Sequence, residues 1–446
     1  MSLTAPSRSR AWWIRAAAIA LLIGCFAHDA RAIVFYEDEF GESSAELALV
    51  LRTFAFLFAG KMVDEPRNPG GSTPAGQSVF DLRAGLRART PRFSFELTNQ
   101  FSAHYAAGIG LAGALNVGQG VAPPRWLPLR AALTRDGLRL VSNVDRLFVK
   151  GQFGKVTLSL GRQPVSFGRG QFWRPLDLVS TFSLTEVDSE FKPGSDAARL
   201  DWQLAERGAL TIVAAVGELV ADHDAAVALN GSAFLARYVQ SYSRGEFGLL
   251  AGYIRGDAVL AADGALDVKV ADLYAELSVT ILTDDSLTPN RAAICPTISC
   301  LRTGLRRARV RSVVGGRYKP TSKITLSAEV YYNGFGSAGN ADYLAIAQSE
   351  RFGIGEITSL APLYLGFSAT WKVHPLVDLF GTTLLSAFDP SSLFYLGISY
   401  NVAQNVQLVA GGYFPVGQLP DPSALTVKDE FGLYPYFAFA ELKLAL

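Results

Sequence analysis

Strict two-residue alternation over long stretches is the feature that most constrains this chain. In KITLSAEVYY, Ile324, Leu326, Ala328, Val330 and Tyr332 share one face of an extended strand, opposite Lys323, Thr325, Ser327, Glu329 and Tyr331. LYLGFSATWK repeats the pattern, with Leu363, Leu365, Phe367, Ala369 and Trp371 opposite Tyr364, Gly366, Ser368, Thr370 and Lys372. The final residues do so again: Tyr436, Ala438, Ala440, Leu442, Leu444 and Leu446 alternate with Phe437, Phe439, Glu441, Lys443 and Ala445. Side chains on a strand point to opposite faces in turn, so each stretch has one apolar and one polar side. Strands of about ten residues with that division suit a closed barrel with lipid outside and a polar lumen inside.

A soluble sandwich also alternates, but its strands run to about five or six residues. Here the segments are longer, and their connections alternate between tight (KPTSK near Pro320, VHPL near His374) and long (334–360 and 283–304). Eighteen segments begin near residues 45, 78, 92, 138, 155, 196, 208, 232, 246, 258, 267, 306, 323, 361, 376, 391, 404 and 434. If GDAVLAADGALD around Ala258 is a plain loop, the even parity of such barrels reduces the count to about sixteen. Either size encloses water rather than a packed core, which makes a pore the function the architecture implies. The expected fold class is therefore an all-β transmembrane antiparallel barrel of about eighteen strands, in a single domain over residues 33–446.

Composition agrees with a wall that faces lipid. The chain is 49% hydrophobic and 18% charged, whereas soluble proteins carry about 25% charged residues. Its 41 basic and 40 acidic residues give a net charge of +1, so bulk charge draws it to no nucleic acid. Arg8, Arg10 and Arg15 precede the apolar stretch from Ala16 to Ala27, and ARA ends at Ala32. This reads as a secretory signal over residues 1–32 cleaved after Ala32, with acylation at Cys25 in LIGC as the competing reading. After cleavage only Cys295 and Cys300 remain, an even pair that a disulfide could join in an exported protein.

One long connection departs from the alternation. Val156, Leu158 and Leu160 face lipid on one strand and Ala198, Leu200, Trp202 and Leu204 on another, with some thirty residues between them. A connection of that length is usually functional or disordered. This one is rich in aromatic residues and in both charges (Arg169, Arg174, Asp177, Glu186, Asp188, Glu190, Lys192), a poor composition for disorder. It is expected to fold into the lumen as a constriction over about residues 163–195, with an outer lid as the alternative. Strict alternation would point Arg162 at lipid, so a bulge or the strand end must redirect it.

The segment LGRQPVSFGRGQFWRPLDL, continued by FSLTEVDSEFKPGSDAARLDW up to Trp202, resembles a stretch of porin-like barrels of Gram-negative bacteria, a group similar in layout to the alginate-export porins. Phe167 stands where those relatives often carry Trp before the Gly-x-Gly. The resemblance implies an outer-membrane channel and no particular substrate.

Charge on the inner wall refines the expectation. Arg307, Arg309, Arg311 and Arg317 share a face in RRARVRSVVGGRY, and Arg83, Arg87 and Arg89 share one beside Asp81 in FDLRAGLRAR. Two arginine ladders across a lumen favour anions, unless Glu96, Asp201, Glu276 and Glu329 neutralise them. His104, His223 and His374 are far apart in sequence and lie in no nucleophile or metal pattern, so neither an enzyme nor a cofactor is expected. The expected partners are outer-membrane lipid, the barrel-assembly machinery and small hydrophilic solutes crossing by passive diffusion, with oligomerisation left open. An adhesin, or a secretion or scaffold partner with little conductance, is the other reading.

Overall fold

The computed structural model describes residues 33–38, 41–59, 75–107, 123–135, 138–181, 190–218, 227–282, 308–418 and 427–445. Residues 1–32, Glu186, Asp188, His223, Cys295, Cys300 and Arg307 lie outside them. The strands are β1 (Ile33–Glu37), β2 (Ser44–Ala59), β3 (Ala75–Arg89), β4 (Phe93–Ala107), β5 (Arg130–Arg135), β6 (Leu138–Phe153), β7 (Val156–Gln163), β8 (Ser195–Ala205), β9 (Gly208–Ala215) and β10 (Ala233–Tyr242). They continue as β11 (Gly245–Ile254), β12 (Asp257–Val268), β13 (Ala271–Ile281), β14 (Ala308–Thr321), β15 (Ile324–Asn333), β16 (Leu363–His374), β17 (Val377–Ser386), β18 (Ser392–Ala403), β19 (Val406–Val416) and β20 (Tyr436–Ala445).

All twenty belong to one sheet. Each strand from β6 to β20 pairs antiparallel with the next, β4 pairs with β6, and β20 returns to β2 from Val50↔Ala445 to Ala59↔Tyr436. With β1 and β5 outside the ring, eighteen strands close the barrel. Every strand start expected from the sequence falls within four residues of the one found, and the doubtful segment near Ala258 is β12. Closure removes the unpaired edges that a lipid environment would penalise.

The outer face carries the apolar half of each alternation. Leu160 is 69% exposed, Val314 62% and Leu396 58%, values that suit only a surface solvated by lipid. The inner face is polar or aromatic and largely covered, as with Glu329 and Tyr331 on β15 and Tyr364 on β16.

Two strands were not expected. β1 pairs only with the start of β2 (Ile33↔Leu47), below the end of β20. β5 pairs with the upper part of β6, from Arg130↔Asn143 to Arg135↔Leu138, where the short β7 no longer reaches. The residues just before β5 continue this patch: the Asp196 amide donates to Pro124 O and the Val144 amide to Leu129 O. A segment of the β4–β6 connection thus fills the wall between β6 and β8 above the point where the chain leaves β7 for the lumen.

That departure point redirects Arg162. Gly161 has φ +121°, and a Cβ there would lie 2.2 Å from Leu147 O, so glycine is required. Arg162 is 1% exposed. Its Nε and Nη2 donate to Asp196 at 2.6 and 2.9 Å, its Nη1 to Val144 O at 2.9 Å, and its Nη2 also to Leu127 O at 2.7 Å. Asp196 in turn accepts the amides of Trp126 and Leu127. The strand end, not a bulge, therefore solves the alternation problem.

Candidate functional site

The loop between β7 and β8 enters the barrel and meets the wall on both sides. Val165, Phe167, Leu176, Leu178 and Val179 pack against the small apolar inner residues of β8 to β12, among them Val213, Ala215 and Leu235. The polar backbone of its Gly-x-Gly stretch is then satisfied by two wall carboxylates. Glu276 on β13 accepts the amides of Arg169, of Gly170 at 2.7 Å and of Leu176 at 3.0 Å. Glu329 on β15 accepts those of Gln171, of Phe172 at 3.0 Å and of Trp173 at 3.2 Å, together with the Tyr274 hydroxyl at 2.5 Å. Both carboxylates are at most 2% exposed, and charge-assisted hydrogen bonds from several donors are what a buried carboxylate needs.

Gly170 makes this fold-back feasible, because a Cβ there would lie 1.8 Å from Trp173 O. Trp173 stacks on Tyr331 at 5.2 Å. Phe172 and Trp173 cover Gly366, whose Cβ would lie 2.5 Å from the Phe172 ring. Arg169 bonds Asp263 at 2.6 Å and pairs with Glu246, Arg174 Nε donates to Gly170 O at 2.7 Å, and Lys192 pairs with Asp177 inside the loop. Glu190 meets Arg52 and Lys443 on the far wall. Each described member of the expected constriction set thus lies on a loop inside the barrel.

The arginines divide differently from the expectation. Arg83 is held by Asp81 at 3.5 Å and Asp145 at 3.4 Å, Arg87 faces Glu46 at 3.6 Å, and Arg89 reaches Gly41 O at the rim. Arg309 and Arg311 brace a loop instead of lining open lumen: they donate to Gly334 O and Glu356 O, and Arg311 lies over Phe335. Arg317 is exposed. The carboxylates expected to neutralise the ladders serve other groups, because Glu276 and Glu329 hold loop amides, Glu96 faces Arg146 at 3.6 Å and Asp201 bonds Arg199 at 2.8 Å. Asp145 was missed; a register shift on β6 opposite Thr98 and Asn99 skips it in the ladder and places it beside Arg83 and Arg125.

The net result is a one-sided field. The inner faces of β2, β3, β4 and β6 carry Arg52, Arg83, Arg87, Arg89, Arg139, Arg146 and Lys150 against Glu46, Asp81, Glu96 and Asp145, seven bases to four acids. Beside them an aromatic wall runs from β17 to β2. Tyr395 stacks on Tyr413 and Tyr413 on Phe437, each at 4.4 Å, and Phe437 continues to Phe58 at 5.7 Å.

Another buried carboxylate ties two of the long connections together, 334–362 and 417–435. Glu430, 1% exposed, accepts the Leu360 amide at 3.0 Å, the Ala361 amide at 3.3 Å and the Tyr364 hydroxyl. Burial pushes its carboxyl up to about 7, and these hydrogen bonds only partly oppose the rise. The folded state therefore binds this proton more tightly than a free glutamate near 4.5 does, so the seat strengthens as pH falls from about 7 to about 4.5 and weakens as it rises. Hydrogen exchange at Leu360 and Ala361, corrected for intrinsic rates, should be slower at acid than at alkaline pH. Glu430→Gln should flatten the dependence, and an equally steep profile in that variant would assign it to other groups.

No family model matches the sequence, and the comparison with curated proteins gave no match. Solved structures do match. OccAB2 of Acinetobacter baumannii aligns with TM-score 0.51 at 9% identity over 90% of this chain and 98% of that one. A variant of OccD1 (OprD) aligns with TM-score 0.51 at 11% identity over 94% and 99%. The chain has the fold of the Gram-negative outer-membrane porins. A BenF-like porin from Pseudomonas fluorescens Pf-5 aligns with TM-score 0.50 at 10% identity over 90% and 98%. These porins are channels rather than enzymes. Among the described residues no three His, Cys, Asp or Glu side chains group as metal ligands.

Proposed function

We propose that the protein is an outer-membrane channel through which small hydrophilic solutes diffuse passively, with anions preferred. The single observation that carries the preference is the excess of bases on the inner faces of β2, β3, β4 and β6. Residues 165–179 of the crossing loop pack against the opposite walls and engage their carboxylates, and Phe191 covers Arg52 and Arg83, which leaves the exposed Arg87, Arg139 and Lys150 and the half-buried Arg146 to border the passage. Fixed cations along a pore raise the local concentration of anions and select by charge. On this reading residues about 163–195 form the constriction, and the end that carries the long loops faces outward. Cleavage after Ala32 and a Cys295–Cys300 disulfide complete the proposal, with lipid and the barrel-assembly machinery as partners.

The test is single-channel recording of the refolded, signal-free protein under a salt gradient. A steady conductance with a reversal potential on the chloride side is expected, reduced by Arg139→Gln with Arg146→Gln. A silent protein would replace the channel with an adhesin or scaffold, and a cation-selective one would remove the anion preference.

A further inference from the structure

The lipid face of β4 carries an amide where the membrane has nothing to offer it. Phe93, Leu97, Phe101 and Tyr105 point outward on this strand, with Phe101 47% exposed. Asn99 continues their alternation, midway between the aromatic residues at the two ends. On β6 the outward row runs through Leu138, Leu140 and Ser142. Asn99 Nδ2 donates to Ser142 Oγ at 3.1 Å, and the Ser142 hydroxyl lies 3.5 Å from Asn99 Oδ1. Both side chains are half-buried, and among the described residues neither has another partner.

A carboxamide has two N–H donors and an oxygen with two lone pairs. The pairing with Ser142 uses one donor and at most one lone pair, so an N–H and a lone pair of Asn99 are left facing hydrocarbon. Such groups are costly in apolar surroundings, and the bilayer core holds no water to satisfy them. Gln240 is the other amide that faces lipid among the described strands, and its depth solves the problem. It stands near the end of β10, beside the 62% exposed Tyr242, and accepts the Tyr238 hydroxyl at 2.6 Å. Asn99 lies too deep for that solution.

We infer that the outer face of β3, β4 and β6 is the interface of a homodimer, in which the Asn99 amides of two copies bond to each other. Copies inserted the same way into one membrane present the same wall to each other about a two-fold axis along the membrane normal. That axis sets Asn99 opposite its counterpart at one depth, and two carboxamides then pair reciprocally, N–H to C=O in both directions. A different membrane protein would need a matching polar group at this depth, whereas a second copy supplies it by symmetry. Ala84 lies opposite Asn99 on β3 and is small enough for the walls to approach. Close approach at small residues and hydrogen bonds between polar ones hold proteins together where lipid removes the hydrophobic drive. The contact lies outside the lumen and is independent of what the channel passes.

Sedimentation equilibrium of the refolded protein in density-matched detergent reads the dimer's association constant. Asn99→Leu with Ser142→Ala leaves every backbone pairing in place and should weaken association about tenfold. Cross-linking in outer membranes keeps the test independent of refolding. Ala84→Cys, treated with a short bis-maleimide, should yield a band of twice the mass. Ala328→Cys, which faces lipid across the barrel on β15, should remain a monomer, as should the parent protein. A wild type that stays monomeric, an association constant unchanged in the double variant, or equal cross-linking at both positions overturns the inference and leaves the amide to lipid or to another membrane protein.

Discussion

Glu329→Ala is expected to release the crossing loop from the wall and raise the single-channel conductance several-fold. Four donors converge on this carboxylate: the amides of Gln171, Phe172 and Trp173 and the hydroxyl of Tyr274. Leaving a buried donor unsatisfied costs about 1–3 kcal/mol each. Lumen water offsets part of that cost only if the loop moves away to admit it, so the substitution favours the displaced loop. Glu276 already accepts three amides from the same stretch, which leaves it about one acceptor site, too few to take over four donors. Glu329→Gln should act in the same direction more weakly, since an amide offers one acceptor and turns a donor toward other donors. The ladders of β15 to β14 and β16 use backbone groups and survive either change, so the barrel itself should refold normally. Conductance equal to wild type in Glu329→Ala would mean that the apolar contacts of Val165, Leu176 and Val179 hold the loop without the carboxylate.

The strands were legible because lipid imposes a local rule. A side chain facing hydrocarbon must be apolar, its neighbours face the lumen, and period two appears in the sequence wherever a strand crosses. β12 escapes that rule: GDAVLAADGALD shows little alternation, and parity is met by eighteen strands with it or about sixteen without it. The lumen has no such rule. Arg83 answers to Asp145, sixty-two positions away, and only a register shift on β6 brings them together. Glu276 and Glu329 enter the sequence reading only as alternative counter-charges for the arginines, because the sequence shows charge and not direction. One signal was available: a Gly-x-Gly turn inside a barrel exposes several amides at once, and lone glutamates facing the lumen from otherwise uncharged stretches are natural acceptors. β5 was hidden because its role depends on β7 stopping early, which no property of Arg130–Arg135 records.

Arg162→Ala is expected to open the seam between β6 and β8 and lower the temperature at which the barrel unfolds. The substitution removes both bonds to Asp196 and those to the Val144 and Leu127 carbonyls. Asp196 keeps the Trp126 and Leu127 amides but loses the charged donor Arg162. Breaking a buried ion pair from one side costs about 3–5 kcal/mol, and here the loss falls where the wall is patched by a connection and not by a full-length strand. Arg162→Lys should recover only part of it, because a point charge cannot reproduce the two parallel bonds to Asp196 while also reaching two carbonyls. The failure should be ordered: residues 123–135 become accessible to protease first, and the heat-resistant mobility of the folded barrel on a gel is lost at a lower temperature. The other strand pairings remain intact, so the variant should still reach the folded band in the cold. If Arg162→Ala matches the wild type in both measurements, the backbone bonds from Asp196 to Pro124 O and from Val144 to Leu129 O suffice to close the seam, and the guanidinium is dispensable to the wall.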